Sequence, residues 1–287
     1  MSGPIFLHSG FRSGGTAIHM AFQQDNCFSA WFDPLSFHLS SPQRASRLNS
    51  NDWDSNHNSN EFYFAEYKNV TNANKIPYYS KSYRFDFLGH TYGTQFLDFI
   101  ESLVVNSSGR NLIPFFKFET CEGRINLLRK RFPNSLNVFL TRDLHSQVQS
   151  CKRLLKGGDI SFHKSADTIL NTLSPRSRLI PFEIKLTSIR KLDYLFTEYE
   201  LKRQSFLEHA DVHIHCNQEG FFEVVNIKHS SVYESMRLLI NKLEELNRIN
   251  FTSARKVSRY TDGVLDESDI KCMPIFLKMW PKRHLRR

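Results

Sequence analysis

An α/β fold, with a central and mostly parallel sheet covered by helices, is what this sequence predicts on three observations. Short apolar runs alternate with helix-length segments around residues 5–24 and 112–156, as strands joined by helical crossovers do. The chain has 287 residues, 40% of them hydrophobic, which suits one large domain with a full core. Its 25 phenylalanines favour a packed globule over disorder.

In chain order, Ile5 to Leu7 reads as a buried strand and Thr16 to Gln24 as the helix after it. Leu112 to Glu119 has β-character, and Cys121 to Phe132 is helix-like and closed by Pro133. Leu136 to Thr141 is strand-like. A helix follows to about Lys156, with Asp143 as its N-cap and Leu144, Val148, Cys151 and Leu155 at core spacing. Phe182 to His209 and Ser231 to Phe251 read as long helices around a strand, Asp211 to Cys216. The 287 residues form a single domain carrying a polar insertion at about 33–90 and a basic tail at about 252–287. Within the insertion, Asn49 to Asn60 is asparagine-rich and aperiodic, and aromatic clusters follow at Phe62 to Tyr67 and Tyr78 to Phe87. A disordered loop and a lid over a binding site both fit that composition.

Gly10-Phe-Arg-Ser-Gly-Gly-Thr16 lies between the first strand and the first helix. Glycines let a turn direct its amides inward, and a helix N-terminus adds positive potential, so such a turn holds an anion. Gly10 and Gly15 have Walker A spacing, but Thr16 stands where the lysine belongs and Ala17 where the magnesium-binding hydroxyl belongs. The cation sits inside the loop instead, at Arg12. That favours an anionic group held by arginine and backbone amides without a metal. Two further features stand beside the loop. Arg142, at a strand end, precedes Ser150 by eight positions, a spacing at which a strand arginine and a helix serine can grip one phosphate from two sides, the alternative being a surface salt bridge and an unrelated helix serine. Lys117 and Glu119 alternate onto one face of a strand.

Taken together, these segments resemble the sulfotransferases that use 3′-phosphoadenosine 5′-phosphosulfate (PAPS). The loop is similar to their Gly-x-Pro-(Arg/Lys)-Ser-Gly-Thr-Thr phosphosulfate loop, with Phe11 at the proline and Gly15 at the first threonine. The resemblance implies a three-layer, P-loop-NTPase-like sandwich. It implies a donor site of Arg12, Ser13, Gly14, Gly15, Thr16 and Ala17, with Arg142 and Ser150 on the 3′-phosphate. Glu119 takes the place of the histidine in the family's Lys-x-His strand end, which makes it the general base. Lys117 and Arg12 then neutralise charge on the transferring group or the leaving phosphate. A simple Lys117–Glu119 ion pair at the strand end is the alternative. The family's late Arg-Lys-Gly loop has no clear copy here; Arg255-Lys256 and Lys282-Arg283 are candidates.

PAPS is thus the expected co-substrate, with no metal, and the acceptor a hydroxyl of a carbohydrate or glycolipid. The net charge of +9 suits an anionic donor, and the basic residues form no nucleic-acid motif. No run reaches membrane-span length, which leaves peripheral membrane contact open. The first strand begins within a few residues of Met1, so no signal peptide is expected, and the sequons at Asn69, Asn106 and Asn250 are read as unused. Five scattered cysteines without a C-x-x-C pair suggest reduced thiols in a cytoplasm-like compartment. His213 and His215 share a strand face but lack a recognisable third metal ligand. A P-loop-like kinase with a degenerate loop and a non-catalytic polyanion- or nucleotide-binding protein are the rival readings.

Overall fold

Strand β1, Ile5–Ser9, is buried along its whole length and forms the middle of the sheet. The computed structural model describes residues 3–10, 13–41, 63–72, 75–86, 88–119, 121–143, 146–147, 150, 205–217, 220–228 and 233–260. Among them the other strands are β2 (Phe28–Phe32), β3 (Ile113–Phe118), β4 (Leu136–Arg142), β5 (Val212–Cys216) and β6 (Phe222–Ile227). They lie in the order β2-β3-β1-β4-β5-β6. The first five are parallel, and β6 closes the edge antiparallel to β5. Strands covered on both faces need apolar residues at every position, which is why β1, β3 and β4 read as near-continuous apolar runs. β6 is an edge strand, and most of its side chains are exposed or half-buried.

Helices α1 (Gly15–Gln23) and α4 (Tyr233–Tyr260) cover one face. Ile18 and Phe22 pack with Met236, Leu239 and Leu243 over Leu7, Val138 and Leu140. Helices α2 (Gly93–Gly109) and α3 (Ile125–Arg131) lie on the other, where Phe96, Phe99, Leu103 and Leu128 meet Phe6, Trp31, Phe116 and Phe118. The result is a three-layer α/β sandwich compatible with a P-loop-like fold. α4 continues to Tyr260, past the Phe251 expected from periodicity and into the segment read as a tail. Residues 252–260 contain neither Gly nor Pro, so nothing in them stops the helix.

The described parts of the 33–90 segment contribute side chains to the core. Tyr63, Phe64, Tyr67, Ile76 and Tyr83 are buried in the same cluster as α2. Buried Arg124 ties this segment down: its Nε donates to the Asp86 carbonyl at 2.8 Å, and Nη2 donates to the carbonyls of Tyr83 and Asp86. Its guanidinium also lies 4.6 Å from the Phe96 ring centroid. Satisfying backbone acceptors in this way lets a charge stay in an apolar layer.

Among the described residues two histidines are buried completely. His8 Nε2 lies 3.3 Å from Asn137 Oδ1, whereas neither ring nitrogen of His19 has a hydrogen-bond partner among the described residues. Burial pushes both pKa values down from 6.5 to about 3; the nearby Lys117 charge adds to this for His19, and the Asn137 contact opposes it for His8. A lowered folded-state pKa means that, below 6.5, the unfolded chain takes up a proton that the folded chain refuses. Stability is therefore fully present above about pH 6.5 and is lost as the pH falls. In urea unfolding, the stability of His19→Leu minus that of wild type should grow by about 1.4 kcal/mol per pH unit between about pH 6 and 4. A pH-independent difference would show that folded His19 takes up its proton normally.

Candidate functional site

The chain leaves β1 toward β2 on one side and later reaches β4 on the other, so the sheet changes direction at β1. In open α/β sheets ligands bind at the carboxyl ends of the strands at such a point. The glycine turn stands there. Ser13 closes it, its N–H and Oγ both directed to the Gly10 carbonyl, at 3.4 and 2.8 Å. Gly14 follows with φ +98°, a left-handed conformation that glycine adopts without strain, and caps α1. The Ala17 amide donates to the Gly14 carbonyl at 3.1 Å, the first bond of the helix. The amides of Gly15 and Thr16 thus fall where a helix supplies no carbonyl of its own.

The turn is fitted to the strand ends below it. A Cβ at Gly15 would lie 2.4 Å from Ser9 Oγ, 2.6 Å from Ser9 Cβ and 3.3 Å from Lys117 Cε. A Cβ at Gly14 would meet the Phe222 ring at 3.2 Å and Cys216 Sγ at 3.3 Å. Only a bare backbone fits this close to β1, β3, β5 and β6.

Lys117, on β3, is the cation beneath the turn. Its side chain is 3% exposed, and Nζ lies 2.5 Å from Glu119 Oε1 and 4.3 Å from the Phe32 ring centroid. Glu119 stands just beyond the strand end with its side chain 36% exposed, so the pair reaches from the interior to solvent.

Asp33 completes the cluster, and the sequence reading did not single it out. It directly follows β2, is buried, and its N–H donates to the Lys117 carbonyl at 2.7 Å. Its Oδ1 lies 3.4 Å from the Glu119 amide nitrogen. Its backbone has φ +36°, uncommon for a residue with a side chain. Burial, and then the Glu119 charge, raise its pKa from 3.8 to about 6; Lys117 and Arg84 oppose the rise. The available signal was an acid directly after an apolar run, Phe28–Phe32, which becomes informative only once that run is known to be a parallel strand.

Arg142 ends β4 opposite Cys216 of β5, the residue whose thiol adjoins Gly14, and it is half-buried. Burial raises the Cys216 pKa, and the Arg142 charge works against the rise. Asp143 caps the following helix as expected, its Oδ2 accepting from the Ser146 amide at 3.0 Å. Ser150 is buried. Arg12 and Phe11 lie outside the described residues, as do Leu144, Val148, Cys151, Leu155, the segment 151–204 and both late basic pairs with the chain beyond 260, except that Arg255 and Lys256 lie in the helical backbone of α4. The structure therefore brings together Ser13 to Ala17, Lys117, Glu119 and Asp33, with Arg142 one contact away through Cys216.

His213 and His215 converge on one hydroxyl, with Thr141 Oγ1 at 2.8 Å from His213 Nε2 and 3.1 Å from His215 Nδ1. Among the described residues no group of three or more His, Cys, Asp or Glu side chains is placed to hold a metal ion, and no helix is long and apolar enough to cross a membrane. No protein-family model, curated protein or solved structure matches the chain.

Gly15→Ala should cost about 1–3 kcal/mol of stability, because Ser9 and Lys117 must move. Adding Ser9→Gly should recover at least about 1 kcal/mol relative to the summed single effects. A strictly additive double variant in chemical unfolding would contradict this packing.

Proposed function

We propose that the chain moves a sulfuryl group from PAPS to a hydroxyl of an acceptor, of the carbohydrate or glycolipid class. The observation that carries this reading is the seating of the glycine turn against Lys117, with Lys117 paired to Glu119 at 2.5 Å. Anion cradle, cation and carboxylate occupy one strand-end site, and sulfuryl transfer to an alcohol needs these three groups. The acceptor class and the roles of Arg12, Arg142 and Ser150 rest on the family resemblance. The scattered thiols, of which Cys27, Cys121 and Cys216 are free, accord with a reducing, cytoplasm-like compartment.

In this reading the amides of Ser13 to Thr16, with Arg12, hold the 5′-phosphosulfate, and Arg142 and Ser150 hold the 3′-phosphate. Glu119 takes the proton of the acceptor hydroxyl as its oxygen bonds to sulfur. The bond from sulfur to the bridging oxygen breaks, and 3′,5′-ADP leaves carrying that oxygen. Protonation of Glu119 removes the anion bound to Lys117, so the ammonium turns to the bridging oxygen as charge develops there. One group thus activates the nucleophile, and by doing so it releases the other to stabilise the leaving group.

Calorimetry separates this reading from its rivals. Binding of 3′,5′-ADP should be unaffected by magnesium and tighter than that of ATP. Preference for magnesium-ATP would point to a kinase instead, and nucleic-acid binding with a steep salt dependence, without nucleotide binding, to a polyanion-binding protein. Glu119→Gln should lower turnover by about 10²-fold or more and leave 3′,5′-ADP affinity within about twofold. Retained turnover would remove Glu119 from the base role.

A further inference from the structure

Asp33 has no part in the mechanism above, yet it occupies the middle of its charged cluster. Its amide continues the β2–β3 ladder to the Lys117 carbonyl, and its carboxylate oxygen lies 3.4 Å from the Glu119 amide nitrogen. The ionisable groups around it are Lys117 from β3 and Glu119 just beyond it, Arg84 from the 3₁₀ turn Lys81–Phe85, Tyr67 from the turn Ala65–Asn69, and Tyr79 and Cys121. Tyr67 and Tyr79 do not hydrogen-bond Asp33 in the contacts they make; their hydroxyls donate to the carbonyls of Phe32 and Ser36, at 3.2 and 2.7 Å. These bonds hold the chain on either side of Asp33 in place. A left-handed aspartate persists only where its surroundings over-determine it, and such residues gather at functional sites.

We propose that Asp33 is a positioning residue of the transfer site: it holds the Glu119 backbone and supplies a second, buried negative charge that strengthens Glu119 as a base. The inference rests on the sulfuryl-transfer reading above. Near neutral pH the cluster holds two carboxylates against the Lys117 ammonium, with Arg84 further out. Like charges brought close favour uptake of a proton by one of them. Glu119 is the carboxylate that reaches solvent, so the acceptor's proton goes to its Oε atom. Asp33 itself touches neither donor nor acceptor.

The test uses the full chain and the variants Asp33→Asn and Asp33→Gly. Asparagine and glycine both tolerate the left-handed backbone, and glycine relieves it, so the second variant guards against a folding failure. Carboxyl carbon NMR, which needs no substrate, should show the Glu119 titration midpoint about half to one pH unit lower in both variants. With PAPS and an acceptor, the acid limb of kcat/KM should move down in pH in the same way. At neutral pH, kcat should fall about tenfold while the affinity for 3′,5′-ADP stays unchanged. A Glu119 midpoint that does not move in either folded variant overturns the proposal. A shifted midpoint in a chain that transfers no sulfuryl group would refute the reaction assigned to the site while supporting the Asp33–Glu119 coupling.

Discussion

A lysine ammonium placed almost wholly inside the protein is the constraint on which the site depends. An unpaired charge at 3% exposure would cost several kcal/mol, so the groups around Lys117 have little freedom. Glu119 meets it at 2.5 Å, the Phe32 ring faces it, and Gly15 presses bare backbone against its stem. Each partner comes from a different element: the end of β3, the end of β2 and the start of α1. Fixing one charge therefore fixes three chain segments relative to one another.

The sheet order makes this meeting possible. With β1 central, the turn after it packs against the ends of β1, β3, β5 and β6, and Asp33 follows the strand beyond β3. The two faces contribute unequally. The α1–α4 face carries the aliphatic core beneath the turn, whereas the opposite face is an aromatic layer. There Trp31 Nε1 donates to Ser107 Oγ at 3.0 Å, and Phe116 and Phe118 stack at 6.1 Å. Arg124 binds the 83–86 chain to that layer, which keeps the neighbouring Tyr79, Arg84 and Asp33 region in register with β3.

Much of this was legible in the sequence wherever burial on both faces wrote a continuous apolar run. The readings at Ile5, Leu112, Leu136 and Asp211 correspond to β1, β3, β4 and β5, and the cap at Asp143 was readable from local chemistry. β2 escaped notice because Ser29 interrupts its apolar run, although Ser29 is buried beside Glu66, to which its hydroxyl donates at 2.5 Å. α2 starts at a glycine, ends in Asn-Ser-Ser-Gly and lacks a side-chain cap, so its boundaries carry no signal. β6 is half-exposed and marked only by its pairing with β5. That Lys117 and Glu119 share a face followed from strand alternation; the ion pair they form is the alternative to the catalytic role that the sequence left open. The place of Asp33 did not follow, because its neighbours lie 84 and 86 positions away in the chain, and only the β2–β3 register joins them.

Turn, ammonium and carboxylate are proposed to form one centre for sulfuryl transfer. Its most direct test follows radiolabelled sulfuryl from PAPS onto a panel of hydroxyl-bearing glycans, using the full chain with a metal chelator present. The account predicts label on at least one acceptor, released in step with 3′,5′-ADP and independent of divalent metal. Absence of label on every acceptor, together with transfer of the terminal phosphoryl group from magnesium-ATP, would contradict it.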